Sequence, residues 1–336
     1  MKLEEFGYTL PEELIAQFPV KKRDESRLLV VRRSDGTITH DQFKNIDRYL
    51  PEQSHLVFNE SKVIPARLLG RRSSGTAEVE IFLLKKLGDG YSYEALMRPL
   101  KRLKVGEKIF FDQSKTYAEV VDKEKRIVRF NRKNIKEYLE KNGHIPLPPY
   151  IKRDDEKSDR SAYQTVYAKN PGSVAAPTAG FHFTDNLIRR LKKQKHKISK
   201  LTLHINYGTF KPVEAEDITK HVMHFEPYVI SSSVWRSLKS SQQSRQKIVA
   251  VGTTSCRVLE AVAHNGILKG ETNIFIYPGY DFRMVDCLIT NFHLPYSTLL
   301  MLVKAFAGAK LMDKAYQEAI KEKYRFYSYG DGMLIL

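Results

Sequence analysis

Between residues 77 and 130 the chain carries five short β-rich runs, AEVEIFLL (77–84), YSYEALM (91–97), EKIFF (107–111), TYAEVV (116–121) and RIVRF (126–130), separated only by turn or charged residues. Nothing between them is long enough for a crossover helix, so successive strands must turn back on one another. That spacing predicts an antiparallel barrel or sandwich. The flanking sequence alternates differently. Before it, PEELIAQF (11–18) reads as a short helix opened by Pro11, with Glu12 and Glu13 at its positive end. RLLVV (27–31) and HLVF (55–58) read as strands, the second delivering Asn59, Glu60, Ser61 and Lys62 at its end. After the proline-stiffened GHIPLPPY (143–150), helix and strand signals alternate. Residues 184–195 and 256–263 read as helices, 201–205, 247–251 and 274–277 as strands, and 299–307 and 314–324 as terminal helices. The expected architecture is α/β: a larger, discontinuous α/β domain of residues 1–70 and 149–336, with residues 71–148 inserted as an antiparallel β-barrel domain.

A chain of 336 residues with 42% hydrophobic content can bury a large core. Lys and Arg total 56 against 39 acidic residues, a formal charge of +17. Such an excess suits a polyanionic partner, and it also serves solubility. Cys256 and Cys287 are the only cysteines, which excludes a disulfide framework and a thiolate-rich metal site. MKLEEFGYTL has no signal-like apolar run, and Lys304 interrupts the apolar stretch 299–303. The expected location is the cytoplasm.

Four islands mix small or turn-forming residues with polar ones: GSVAAPTAGFHF (172–183), TLHINYGTFKPV (202–213), GTTSCRVLE (252–260) and TNFHLPYST (290–298). Glycine permits close backbone approach and proline fixes the path, so these segments read as loops lining a common pocket. His182 and His293 sit in two of them. Neutral imidazole accepts a proton near physiological pH and imidazolium stabilises a departing anion; each histidine also fits a structural hydrogen-bonding role. GTTSCR places Thr253, Thr254, Ser255 and Arg257 at a strand-to-helix turn. The first amides of a helix suit a carboxylate, phosphate or ribose oxygen, and simple capping explains the same residues. KHVMHFE offers His221, His224 and Glu226 as metal ligands, as acid–base groups or as structural residues, but no second ligand cluster accompanies it, and no metal is expected. Phosphate-loop and dinucleotide fingerprints are absent. Arg189, Arg190, Lys192 and Lys193 head a basic patch suited to RNA phosphates or to a solvated helix face. Tyr280, in YPGYDF, is a candidate for stacking on a base.

LPEELIAQFP, DESRLLV, VFNESKVIPARLLG, GHIPLPPYI, YQTVYA, the four islands, HVMHFE, IFIYPGYDF and YRFYSYGDGM occur in one order along nearly the whole chain. Together they resemble the S-adenosylmethionine:tRNA ribosyltransferase-isomerase family of queuosine biosynthesis; residues 71–142 contribute least. The resemblance implies transfer and isomerisation of the ribosyl part of S-adenosylmethionine onto 7-aminomethyl-7-deazaguanine at the tRNA wobble position. Epoxyqueuosine, adenine and methionine are the implied products. S-adenosylmethionine is then a consumed co-substrate, with no cofactor and no metal required. On this reading His182 and His293 lead as base or proton relay, with Glu226 a further candidate. Thr253, Thr254, Ser255 and Arg257 are candidates for the methionine carboxylate or ribose, Asn291 for a base or sugar edge, and Thr178 and Tyr280 for further substrate contacts. Glu60, Ser61, Phe181, Asn206 and Tyr296 depart from the family's usual residues. A methyltransferase would instead release S-adenosylhomocysteine, and a non-enzymatic tRNA-binding protein would release neither small product.

Overall fold

HLVFN, KISKLTL, IVAV and CLITN form the parallel centre of a nine-stranded sheet, in the order Lys197–Leu203, His55–Asn59, Ile248–Val251, Cys287–Asn291. The last three of these strands are buried at every position. Strands covered on both faces carry apolar runs, here Leu56–Phe58, Ile248–Val251 and Cys287–Ile289, with Asn59 and Asn291 closing the first and third. Side chains alternate between two cores: Val57, Ala250 and Leu288 face one, and Leu56, Phe58, Val249, Val251 and Ile289 the other. Helices Thr253–Asn265, Thr298–Ala307 and Ala309–Lys321 cover the first face, and helix Asp185–Lys193 covers the second through Leu187 and Leu191. Antiparallel Glu226–Val229 and Lys269–Thr272 extend one side of the sheet. On the other side Gly332–Ile335 runs antiparallel to Cys287–Asn291, followed by Arg27–Val31 and Ile38–Gln42. This computed structural model describes residues 1–73, 75, 77–111, 115–210 and 213–336, apart from the side chains of residues 209 and 210. Lys211 and Pro212 of the second island thus lie outside the described residues.

The sheet belongs to a unit of Met1–Lys62, Pro148–Arg153 and Ala162–Leu336; a second unit comprises Val63–Leu147 and Asp154–Ser161. In the second unit six antiparallel strands close a barrel in the order Ile127–Phe130, Ser92–Arg98, Glu78–Lys86, Arg67–Arg72, Lys108–Phe110, Tyr117–Asp122. The architecture is therefore a barrel rather than a sandwich. Leu68, Val79, Ile81, Ala95, Ile109, Ala118 and Val128 are buried in it. The strand Arg67–Arg72 crosses the expected boundary at residue 70. Within that strand Gly70 leaves room that a side chain would fill, since a Cβ would lie 2.7 Å from Ile109, Phe110 and Phe111 atoms.

Two other expectations are corrected. Residues 11–18 contain one 3₁₀ turn, Glu12–Leu14, because the Leu14 carbonyl and the Ala16 amide bond the backbone of Phe326 instead of continuing a helix. Residues 274–277 form no strand; Ile276 is a buried anchor, and the strand lies at polar Lys269–Thr272, paired with Glu226–Val229. Among the described residues no helix is long and apolar enough to cross a membrane.

Candidate active site

Register brings the carboxyl ends of the central strands level, with Val251 opposite both Phe58 and Ile289. Ligands of open α/β sheets gather at this edge. A pocket opens there, and all four islands reach it: residues 176–179 from the first, Ile205 from the second, 252–254 from the third and 290–295 from the fourth. Tyr150, Tyr327 and Ser328 complete the wall. Tyr150 and Tyr327 stack with centroids 4.5 Å apart, and Tyr150 Oη lies 2.6 Å from Ser328 Oγ. The sequence reading missed these three as site residues; the family motifs containing PPYI and FYSYG were the available signal.

Gly252, at φ +89°, turns the chain from the strand Ile248–Val251 into helix Thr253–Asn265. A glycine is favoured at that angle, and the turn exposes the helix's first amides to the pocket. Thr253 and Thr254 line the wall. Asn59 Nδ2 donates to Thr254 Oγ1 at 3.4 Å, tying it to the neighbouring strand. Ser255 faces away: its hydroxyl donates to the Val251 carbonyl at 2.8 Å. Arg257 lies one helical turn beyond Thr253, buried. Its Nη1 is 2.6 Å from Glu226 Oε2, whose other oxygen accepts the Asn206 amide at 3.0 Å. Arg257 Nε and Nη2 have no hydrogen-bond partner among the described residues. Asn206 uses its side chain to donate to the Phe225 carbonyl at 2.9 Å.

His293 lines the pocket, with Nε2 2.8 Å from Thr290 Oγ1. Burial pushes it down to about 3. His182 lies outside the wall, buried behind Asn291; its ring stacks on Phe43 at 4.6 Å, and Nδ1 is 2.7 Å from Ser26 Oγ. Burial, with Arg23 and Arg325 adding to it and Asn291 opposing, brings His182 down to about 4. Both rings are therefore neutral near neutral pH. Asn291 donates from Nδ2 to the Tyr327 carbonyl at 2.9 Å, and its side chain also acts on the His182 ring as a hydrogen-bond acceptor. Thr178 also lines the pocket.

Other expected site residues lie apart. Tyr280 donates to Glu260 at 3.3 Å, on the side of the sheet where the strand Cys287–Asn291 begins. Helix Asp185–Lys193 starts beside the first island and runs toward His196, whose Nδ1 bonds Ser54 at 2.9 Å just before the strand His55–Asn59 begins. Arg189, Arg190, Lys192 and Lys193 consequently approach the sheet's amino edge, away from the pocket. Arg190 is also held by both oxygens of Asp47 at 3.0 Å. His221 packs against Phe275, while Glu226 holds Arg257. Among the described residues no group of three His, Cys, Asp or Glu side chains is placed to hold a metal. Burial raises the Cys256 thiol well above its ordinary value, as expected for a core cysteine.

Residues 3–335 match the family described as "Queuosine biosynthesis protein". The chain is 50% identical to S-adenosylmethionine:tRNA ribosyltransferase-isomerase of Sulfurihydrogenibium sp. and 49% identical to that of Halothermothrix orenii, with 100% of both chains covered in each case. It also resembles the crystal structure of S-adenosylmethionine tRNA ribosyltransferase from Thermotoga maritima, at 36% identity and a TM-score of 0.57, over 99% of this chain and 100% of that one. Full-length similarity of this order, on a fold whose four distinctive loops meet in one pocket, places the chain among the S-adenosylmethionine:tRNA ribosyltransferase-isomerases, enzymes of queuosine biosynthesis.

Proposed function

We propose that the pocket at the carboxyl edge binds S-adenosylmethionine and transfers and isomerises its ribosyl moiety onto 7-aminomethyl-7-deazaguanine at the tRNA wobble position. The products are epoxyqueuosine in tRNA, adenine and methionine. Convergence of the four islands on one pocket is the observation that carries this reading. The methionine carboxylate meets Thr253, Thr254 and the first amides of their helix, with the Arg257 cation one turn behind. Thr178 and Asn291 contact the nucleoside part from the opposite loops.

The carbon beside the sulfonium loses a proton, and the departing adenine gains one at a ring nitrogen. His293 in the wall and His182 behind Asn291 are the proton carriers. A histidine held at about 3 or 4 stays free to accept at neutral pH, and once charged it is a stronger acid than ordinary imidazolium. One residue can thus take the proton from carbon and pass it on toward adenine. Glu226, the further candidate, holds the Arg257 cation.

In tRNA the acceptor base lies in an unpaired loop, which spares the enzyme the cost of opening a duplex. Incubation with S-adenosylmethionine and tRNA bearing the deazaguanine, followed by mass spectrometry, tests the reading. Release of adenine and methionine together with a modified tRNA is expected. S-adenosylhomocysteine would identify methyl transfer, and the absence of any small product would leave only RNA binding.

A further inference from the structure

The motif LPEELIAQFP builds one 3₁₀ turn and no part of the pocket wall, yet it carries Phe18, a large aromatic side chain that is 52% exposed. Its neighbours tie it to that wall. Gln17 donates from Nε2 to the Tyr150 carbonyl at 3.0 Å, its Oε1 accepts the Lys152 amide at 2.7 Å, and the Phe18 carbonyl accepts from Arg325 Nη2. Arg153 lies over the Phe18 ring at 4.4 Å and donates to the Gln17 carbonyl at 3.1 Å. Tyr150, three residues before Arg153, and Tyr327, two after Arg325, both line the pocket. Arg23 completes the group: it lies 5.7 Å over Phe181, close in sequence to Thr178 of the wall, and donates to the Gln164 carbonyl at 2.7 Å. The charges of Arg23 and Arg325 both reach His182 behind Asn291.

We propose that Phe18, Arg23, Arg153 and Arg325 form a rim on which the unpaired RNA strand flanking the reacting nucleotide docks, with a neighbouring base stacked on Phe18 and adjacent phosphates meeting the guanidiniums. Nucleotides joined covalently to one that enters the pocket must lie beside its wall. The basic helix Asp185–Lys193 approaches the other edge of the sheet, so those phosphates fall to the rim arginines. Each guanidinium donates to a backbone carbonyl, which orients it without cancelling its charge. Asp331, whose oxygens accept the Arg27 and Arg325 amides, offsets part of the charge of Arg325. All three arginines are partly buried, so salt screens them less than the exposed cations of the helix. An exposed aromatic ring suits a single strand because every base has a π face, and arginine supplies the planar fork that matches phosphate. The assignment of the strand rests on the proposed reaction at the tRNA wobble nucleotide.

Binding of an unmodified tRNA transcript, measured across a salt series beside calorimetric binding of S-adenosylmethionine, tests the rim. Phe18→Ala is expected to raise the tRNA Kd at least about fivefold while S-adenosylmethionine affinity, which reports an intact pocket, stays at the wild-type value. Phe18→Trp, which keeps an aromatic face, restores tRNA affinity. Arg153→Gln combined with Arg325→Gln should reduce the salt slope of tRNA binding by about one per arginine. A 4-thiouridine placed beside the wobble nucleotide is expected to crosslink to the peptide that holds Phe18. Unchanged tRNA affinity in Phe18→Ala overturns the stacking surface, an unchanged salt slope in the arginine pair overturns the phosphate contacts, and a crosslink to helix Asp185–Lys193 instead moves the strand to the other edge and overturns the rim as a whole. None of these measurements needs turnover. Failure of the wild-type enzyme to release adenine would therefore sink the proposed reaction separately, while binding and crosslinking still decide where RNA docks.

Discussion

At the amino edge of the central sheet His55 is bonded at both ring nitrogens by serines, Ser241 at 2.9 Å and Ser199 at 2.8 Å, whereas at the carboxyl edge His182 meets Ser26 at 2.7 Å on one side and the side chain of the pocket residue Asn291 on the other. The contrast extends beyond histidines. Near the amino edge Glu260 accepts the amides of Arg283, Met284 and Val285. Near the carboxyl edge Tyr327 Oη, and Arg257 Nε and Nη2 have no hydrogen-bond partner among the described residues. Each buried polar group left in that state costs about 1–3 kcal/mol. Several of them around one pocket point to groups that a ligand completes, while the bonded histidine and carboxylate at the other edge hold the sheet and its loops together.

The contrast breaks most sharply if the two histidines prove interchangeable. His182→Gln is expected to slow single-turnover chemistry by about 10²–10⁴, and His55→Gln to leave it near wild type at saturating substrates. Similar losses in both variants would remove the distinction between the edges.

Stability offers the next test. Glu226→Ala leaves the Arg257 cation buried without its carboxylate, at a cost of about 3–5 kcal/mol. By comparison, Asp47→Ala frees an exposed Arg190 and costs about 0–1 kcal/mol. Urea unfolding of the two variants measures the difference, and equal midpoints would show that the buried pair is not held as described.

Acid sharpens the comparison further. His55 and His182 sit at about 4 and His293 at about 3, against an ordinary 6.5. Between those values the unfolded chain binds more protons than the folded one. The stability is therefore fully present above about pH 6.5 and is lost as pH falls toward 4 and 3. His55→Gln is expected to flatten that stability profile without moving the acid limb of single-turnover chemistry. A wild-type profile that stays level from pH 6.5 to 4 would contradict neutral burial.

The smallest expected effect concerns the basic helix. Replacing Arg189, Arg190, Lys192 and Lys193 with Gln should weaken tRNA binding and flatten its salt dependence, while chemistry at saturating tRNA stays unchanged, because the patch lies away from the pocket. Arg190→Gln alone should barely change either, since Asp47 already holds that guanidinium. A rate loss at saturation would place the patch against the reacting nucleotide after all.

Residues with local physical signatures were legible in advance. Apolar runs marked the central strands His55–Asn59 and Ile248–Val251, and the short β runs marked the barrel. Signals that depended on a partner were not. The edge strand Lys269–Thr272 is polar and exists through its pairing with Glu226–Val229. Ser26 and Tyr327 looked like ordinary residues until Arg27–Val31 and Gly332–Ile335 packed side by side. Tyr280 and the basic helix lay within recognisable motifs yet folded away from the pocket, because composition carries no information about which edge of a sheet a loop reaches.

By itself the sequence determined the family, the α/β-with-barrel architecture and the four loops that matter, since hydrophobic period, turn chemistry and ordered motifs are written along the chain. Only the tertiary structure decided which hydroxyl bonds His182, which carboxylate neutralises Arg257 and which polar atoms stay unpaired. Those outcomes depend on directions and distances between segments hundreds of residues apart, set by strand order and register that no local stretch encodes.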